Sequence, residues 1–160
     1  MSFSPEITVA AIVERDRRYL LVEESISGRL VFNQPAGHVE QGETVLEAVI
    51  RETLEETAWD FVPAALLGAY LWTNPSSGRT TLRFAFIGGV TQHHPDRSLD
   101  RGIVAAHWLT REQLLGREER LRSPLVLRCV DDYLTGRRLP LDSVASLDIE
   151  AARAVDAVAI

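Results

Sequence analysis

The sequence predicts an α/β fold in which a mixed β-sheet is flanked by helices. Apolar, β-branched runs occur within residues 7–32 and again within residues 61–90, as is typical of strands. A segment with helical spacing at residues 44–57 separates these runs, and another follows at residues 124–134. Strands first, and then an interrupted mix of helices and strands, favour a sheet with helices packed on it.

The first two strands are expected to form a hairpin. Residues 7–13 and 19–23 are apolar runs on either side of a charged turn at residues 14–18. A second turn leads to a short strand at residues 30–32. The stretch 33–42 is rich in glycine and proline, so it is either a loop wrapped around a ligand or a short irregular strand.

The central helix is predicted to begin at a capping box. Thr44 is the expected N-cap residue, and Glu47 is spaced to reach back to it. One face of the helix is mostly apolar and is expected to pack against other parts of the fold. Its residues are Leu46, Val49, Ile50, Thr53 and Thr57.

The second half of the chain continues with two long strands, at residues 61–72 and 80–90, joined by a turn rich in proline, serine and glycine. A polar loop at residues 91–102 precedes a short strand at residues 104–109. A short helix is expected after Thr110.

The later helix, at residues 124–134, is expected to start with Ser123 as N-cap and Pro124 at the first helical position. The tail at residues 140–160 has an uncertain structure. Within it, only residues 149–157 have a spacing that suits a helix.

Size and composition are those of a single globular domain, which we take as residues 1–160. The net charge of −6 disfavours a nucleic-acid partner, although all 17 basic residues are arginines, which bind phosphate well. The single cysteine, Cys129, lies in an apolar run and is expected to be buried. With no signal peptide or membrane span evident, we expect a cytoplasmic monomer or small homo-oligomer.

Three glutamates share one face of the central helix. At about 100° per residue, Glu52, Glu55 and Glu56 fall within an arc of roughly 100°. Like charges at these spacings repel one another, and a divalent cation would turn that repulsion into binding, because Mg²⁺ favours carboxylate oxygens. The alternative is a solvated acidic face on which Arg51 pairs with Glu55 one turn later.

The spacing of residues 37–59 favours the metal site, because it matches the Nudix box and the chain therefore resembles the Nudix hydrolase family. The matching positions are Gly37, Glu43, Arg51, Glu52, Glu55 and Glu56. Two positions depart from the family pattern. Thr53 stands where an aliphatic residue is usual, and Ala58 stands where the box ends with glycine. Both departures concern packing and the end of the helix rather than the acids.

Flanking segments at residues 9–22, 32–38 and 121–125 are similar to the NudJ-type phosphatases of that family. The resemblance implies the Nudix α/β/α sandwich, bound Mg²⁺ with Mn²⁺ as an alternative, and a small nucleotide or pyrophosphate as substrate. It implies hydrolysis of nucleoside tri- and diphosphates or of hydroxymethylpyrimidine pyrophosphate. The alternatives are other Nudix specificities, namely ADP-ribose, dihydroneopterin triphosphate or oxidised dGTP. A non-catalytic binding module is disfavoured, because such modules tend to lose box carboxylates.

The resemblance also implies roles for the box residues. The residues that hold metal and carry catalysis would be Glu52, Glu55 and Glu56. Of these, Glu55 or Glu56 would orient or deprotonate the attacking water. Arg51 and Glu43 would form an ion pair that fixes the helix against its loop, and Gly37 would let that loop approach closely.

The candidates for substrate contacts are His38, Arg83, Asn33 and Gln34, and each has a structural alternative. His38 either contacts phosphate or is a plain loop histidine. Arg83 either reaches a phosphate or is a structural arginine of its strand. Asn33 and Gln34 either hydrogen-bond the substrate or satisfy the backbone of the loop.

Two further groups of charged residues have weaker claims. Asp100 stands where many relatives of the family carry an acidic pair, but Arg101 replaces the second acid, which argues against a catalytic role for this loop. The basic residues Arg117, Arg120 and Arg122 are interpreted as a solvated helix face.

Overall fold

A computed structural model describes residues 2–147, and it confirms the α/β class, with helices on a mixed sheet. The helices and strands of this part of the chain are β1 (Glu6–Arg15), β2 (Arg18–Ile26), β3 (Arg29–Asn33), β4 (Ala36–His38), α1 (Val45–Thr57), β5 (Trp59–Thr73), β6 (Thr80–His93), β7 (Ile103–Thr110), α2 (Arg111–Leu115) and α3 (Leu125–Leu134). Short 3-10 turns lie at Glu118–Arg120 and Leu141–Ser143. None of these helices is long and apolar enough to cross a membrane.

Strand β1 is the point at which the sheet divides. Near the hairpin turn it pairs with β2, through Glu14 with Tyr19. Toward its other end it pairs with β4, through Val9 with Gly37. Its second edge runs parallel to β6, which pairs with β5, while β2 carries β3 and β7 on its two edges. Beyond the turn, β4 therefore takes the place of β2 beside β1.

Helices α1 and α3 cover opposite faces of the sheet. Val9 and Ala11 of β1 pack in one buried cluster with Val49 of α1. Ile12 of the same strand packs in a second cluster with Cys129 of α3, which is fully buried as predicted. Since successive strand residues point to opposite faces, β1 is apolar on both sides and forms the centre of the three layers.

Helix α1 begins and ends as its sequence requires. The Thr44 hydroxyl accepts a hydrogen bond from the Glu47 N–H, and the Glu47 carboxylate accepts one from the Thr44 N–H, so the predicted capping box is present. The helix ends at Ala58, whose φ of 58° is the left-handed conformation that glycine adopts with least strain. This conformation explains why glycine is usual at the end of the box. Alanine adopts the same conformation here, but with more backbone strain.

The buried face of α1 differs from the prediction. Ile50 is 40% exposed, whereas Ala48, Glu52 and Glu56 are buried. The reason is that α1 also packs against β4, which turns its acidic side toward the protein. Thr53 is buried as well, and its hydroxyl donates to the Val49 carbonyl at 2.7 Å, so it is satisfied where an aliphatic residue is usual.

Two smaller expectations change. Helix α3 begins at Leu125, and Pro124 rather than Ser123 is its N-cap. Ser123 precedes the N-cap, and its hydroxyl still accepts a hydrogen bond from the Leu125 N–H. Strand β6 continues to His93, because β5 starts directly after α1 and pairs with it there. The segment 33–42 contains the short strand β4, which is one of the two alternatives that the sequence left open. The predicted helix at residues 149–157 lies outside the described residues.

Candidate active site

Helix α1 and the loop before β7 bring three carboxylates together. One oxygen from each of Glu52, Glu55 and Asp100 lies within 4.8 Å of the others. Glu52 is buried, and the other two acids are more accessible. Hard divalent cations favour such a set of carboxylate oxygens, so the donor chemistry fits a metal of that kind.

Glu56 lies outside this group of three, one turn after Glu52. It is only 8% exposed, and one of its oxygens accepts a hydrogen bond from the Ala36 N–H at 2.9 Å. Burial raises the pKa of Glu56 to about 9, and the nearby charges of Glu52, Glu24 and Asp100 act in the same direction. The negative form of this carboxylate is therefore costly unless positive charge is supplied.

Glu52 is subject to the same effects to a smaller degree. Burial raises the pKa of Glu52, although a hydrogen bond from Arg51 acts to lower it. The charges of Glu55 and Asp100 raise the pKa further. Repulsion among these acids is thus a property of the folded site rather than of the helix alone. A bound cation would offset it.

Arg51 links the acids to the preceding loop. It forms a two-pronged ion pair with Glu43, with Nε–Oε1 at 2.7 Å and Nη2–Oε2 at 3.0 Å. Its Nη2 also donates to the His38 carbonyl at 3.0 Å, and its Nη1 donates to Glu52 and Glu55 at 2.9 and 3.0 Å. Both pairings considered for Arg51, with Glu43 across the loop and with Glu55 along the helix, are therefore present.

Gly37 is the point where β4 comes closest to the acids. A Cβ atom added there would lie 2.1–2.3 Å from the carboxyl atoms of Glu52, closer than any real contact. β4 is held in this position by its pairing with β1 and by the hydrogen bond from Ala36 to Glu56. The box glycine is thus needed because the backbone and a carboxylate share this space.

Asp100 is the site residue that sequence reasoning undervalued. Its N–H donates to the Glu55 carbonyl at 2.9 Å, and its own carbonyl accepts from Ile103 at the start of β7. These bonds hold the loop at the end of α1. Asp100 therefore lies beside Glu52 and Glu55 without a second acid next to it in the chain. The replacement of its neighbour by Arg101 therefore does not remove this loop from the site.

The predicted substrate residues Arg83, Asn33 and Gln34 come together, but they bind one another. Arg83 donates to the side-chain carbonyls of Gln34 and Asn33 at 3.1 and 3.2 Å, and Gln34 donates to the Val126 carbonyl at 2.8 Å. All three are buried, with Arg83 only 5% exposed. Arg83 thus has the contacts of a structural arginine, whereas Asn33 and Gln34 bind Arg83 and α3 rather than the backbone of their own loop. Substrate contacts by these residues stay predictions.

His38 lies at the end of β4 with an exposed side chain. Its Nε2 is 3.5 Å from the Glu6 carboxylate, and its backbone carbonyl accepts from Arg51. The backbone of His38 therefore supports the site, whereas a phosphate contact by its ring stays a prediction.

Comparisons with known proteins agree with this geometry. A family model described as NUDIX domain matches residues 4–129. The curated proteins described as Phosphatase NudJ from Escherichia coli (strain K12) and Shigella sonnei (strain Ss046) are each 36% identical over 146 residues, which cover 91% of this chain and 94% of theirs.

Solved structures give the same result. The NUDIX hydrolase from Nitrosomonas europaea is 47% identical with a TM-score of 0.89, over 91% of this chain and 99% of that one. The MutT protein from Methanosarcina mazei Go1 is 23% identical with a TM-score of 0.66, over 86% of this chain and 100% of that one, so it supports the fold alone.

Proposed function

The chain belongs to the Nudix family of hydrolases, and we propose that it is a Mg²⁺-dependent enzyme of the NudJ type that hydrolyses phosphoric anhydride bonds in nucleoside tri- and diphosphates or similar small pyrophosphates. The observation that carries this proposal is the group of carboxylate oxygens from Glu52, Glu55 and Asp100 within 4.8 Å of one another. Such a group is costly without a cation and suits phosphate chemistry with one.

Four acids are proposed to hold the metal: Glu52, Glu55, Glu56 and Asp100. Mg²⁺ is the first choice and Mn²⁺ the alternative, because both accept carboxylate oxygens. When bound, the ion would offset charge on the phosphate oxygens and lower the pKa of a coordinated water. Arg51 would keep Glu52 and Glu55 in place through its bonds to both and to Glu43.

Glu55 and Glu56 remain the two candidates for the general base. The N–H of Ala36 fixes one oxygen of Glu56, which leaves the other to accept a proton from the attacking water. Glu55 is more accessible, and Arg51 orients its carboxylate. Gly37 would contribute by leaving room for the Glu52 carboxylate.

The description of the relatives as phosphatases supports release of orthophosphate, with hydroxymethylpyrimidine pyrophosphate as one proposed substrate. The rival Nudix specificities are ADP-ribose, dihydroneopterin triphosphate and oxidised dGTP. A binding module without catalysis is disfavoured, because the chain keeps every box carboxylate. A small-molecule substrate in the cytoplasm also suits the net charge of −6, which disfavours long nucleic acids.

Phosphate release tests the proposal. With Mg²⁺, we expect orthophosphate directly from ATP, ADP and hydroxymethylpyrimidine pyrophosphate, without added inorganic pyrophosphatase. A chelator should abolish the release, and Glu52→Gln should lower it by roughly 10²-fold or more, since a metal ligand is lost. Signal only after pyrophosphatase is added would keep a Nudix hydrolase but contradict the NudJ-type specificity. If none of these substrates or the rival ones is hydrolysed, the binding module would replace the enzyme.

A further inference from the structure

Two neighbouring glutamates of β2 each face an arginine, with different surroundings. Glu23 pairs with Arg120, whose Nη2 lies 3.1 Å from its carboxylate and whose guanidinium stacks on Phe32. Glu24 faces Arg122, whose Nε lies 3.5 Å from Oε1 of Glu24. The pairing of β2 with β7 shifts register between the two glutamates, and such irregularities often re-aim a side chain beside an active site.

Glu24 lies beside the loop that carries Asp100. In the pairing of β2 with β7, Glu24 is opposite Ile103, whose N–H donates to the Asp100 carbonyl at 3.0 Å. Its Oε1 is buried but accepts no hydrogen bond among the described residues. The ion pair of this carboxylate among the described residues is the long one with Arg122, so hydrogen bonds do not fix Oε1 in place.

Arg122 combines a fixed backbone with an available head group. Its N–H donates to the Phe32 carbonyl at 2.8 Å, which anchors it beside β3. Its side chain is 46% exposed, and its distance to Glu24 is too long for a good hydrogen bond. The donors of this guanidinium are therefore largely unused, although the pair with Glu24 limits where it can lie.

The other arginines near the acids are less suited to a substrate phosphate. Arg51 is engaged by Glu43, Glu52 and Glu55, and Arg83 is buried against two side-chain amides. Arg101 is exposed beside Asp100, and no ion pair within the described range 2–147 fixes its side chain. An arginine that is already held near its binding position loses less entropy on binding.

We propose that Arg122 binds a phosphate group of the substrate and that Glu24 is a positioning residue that aims its guanidinium at the active site. The planar guanidinium offers two parallel donors to phosphate oxygens, which suits recognition of an anhydride. This inference deepens the proposed function and rests on it, because the phosphate belongs to the bond that is cleaved. It also separates Arg122 from Arg117 and Arg120, with which the sequence groups it.

Binding of methylenediphosphonate, a pyrophosphate analogue that cannot be hydrolysed, tests Arg122 without turnover. With Mg²⁺ present throughout, calorimetry should show roughly tenfold or greater loss of affinity in Arg122→Gln, because charge-assisted hydrogen bonds are among the stronger ones. The matched variant Arg120→Gln should stay within about twofold of wild type, since its pair with Glu23 lies elsewhere. Unchanged affinity in Arg122→Gln, or equal losses in both variants, would overturn the proposal.

Glu24 is tested by a double-mutant cycle in the same assay. Glu24→Gln alone should weaken binding by roughly threefold, and Glu24→Gln combined with Arg122→Gln should be no weaker than Arg122→Gln alone, because Glu24 acts through Arg122. Additive losses would refute the positioning role. If the affinities behave as expected while wild type hydrolyses no anhydride, the proposed function fails and the phosphate site stands.

Discussion

Two carboxylates with the same low solvent exposure, on opposite faces of the sheet, behave in opposite ways. Glu56 of α1 and Asp132 of α3 are each 8% exposed. Burial acts to raise the pKa of Asp132, but hydrogen bonds from Tyr70 at 2.8 Å and Arg128 at 3.0 Å outweigh it and hold that pKa below its usual value. Glu56 has one hydrogen bond, from Ala36, and burial raises its pKa to about 9.

We interpret this difference as separating a carboxylate that serves the fold from one that is proposed to serve a metal. Asp132 is stabilised by the protein, with Arg137 as a further cation at 3.7 Å. Glu56 has other acids for neighbours, and its charge is unfavourable until a cation arrives. Low exposure alone therefore does not identify a functional acid. Glu56 lies deeper than Asp132 and has acids for neighbours, whereas Asp132 has hydrogen bonds that compensate its charge.

The largest effect is expected from removing the charge of each acid. Glu56→Gln should lower anhydride hydrolysis by roughly 10³-fold, because it loses a metal ligand or general base. Its thermal stability should be unchanged or higher, because the cost of burying an ionisable carboxyl group among other acids is removed. Asp132→Asn should keep activity within a few-fold and lose about 1–3 kcal/mol of unfolding free energy, because charged hydrogen bonds are lost.

Steady-state kinetics and urea unfolding of both variants measure this contrast. The comparison breaks down if Asp132→Asn is the inactive variant, or if Glu56→Gln unfolds at clearly lower urea than wild type. The first result would give Asp132 the functional role, and the second would mean that the protein itself stabilises the negative charge of Glu56.

The residues of the acid cluster show how far the sequence alone can go. The family resemblance implies the Arg51–Glu43 pair, and the spacing of Thr44 and Glu47 predicts the capping box of the helix, since each involves residues close in the chain. Asp100 lies 45 residues beyond Glu55, so its place depends on how the loop returns to α1, which no local pattern encodes.

The same limit applies to Arg83 and Ile50. Arg83 is one strand residue among several in the sequence, and its mutual bonds with Asn33 and Gln34 require the strands to be assembled. The periodicity of α1 includes Ile50 in the apolar face, but packing against β4 buries the acidic side instead. Spacing predicts which residues share a face, and tertiary contacts decide which face is buried.

An intermediate effect is expected at Gly37. Gly37→Ala should lower kcat by roughly 10–100-fold, because the added Cβ would force the Glu52 carboxylate away from the other acids. The fold should tolerate the change, since the atoms that must move belong to the end of a side chain. The matched variant is Gly89→Ala, where an added Cβ meets nothing within 4 Å.

Kinetics at saturating Mg²⁺, with thermal melts of both variants, distinguish this local effect from a general one. Equal activity of Gly37→Ala and Gly89→Ala would show that Glu52 can move without consequence. A large fall in melting temperature of Gly37→Ala alone would instead give the glycine a role in folding.

The smallest effect is a slope of stability with pH in the metal-free protein. Folding raises the pKa of Glu56 from its ordinary value of 4.5 to about 9, so between these values the folded state holds a proton that the unfolded state releases. The stabilisation is complete below about pH 4.5 and is lost as pH rises toward 9. Asp132 has a lowered pKa, so its contribution is lost only as pH falls below its ordinary range.

Melting temperatures at pH 6 and pH 8.5 therefore separate the two acids. With a chelator present, the melting temperature of wild type should fall between pH 6 and pH 8.5 by roughly 5 °C or more beyond the fall of Glu56→Gln. The reason is that each pH unit changes the free energy of unfolding by about 1.4 kcal/mol when one proton is involved. Asp132→Asn should keep the wild-type slope. Mg²⁺ should raise the melting temperature more at pH 8.5 than at pH 6, because the cation competes with the proton for Glu56. Parallel curves for wild type and Glu56→Gln would mean that Glu56 is ionised in the folded protein without a metal. The protein would then stabilise the negative charge of Glu56 as it does that of Asp132.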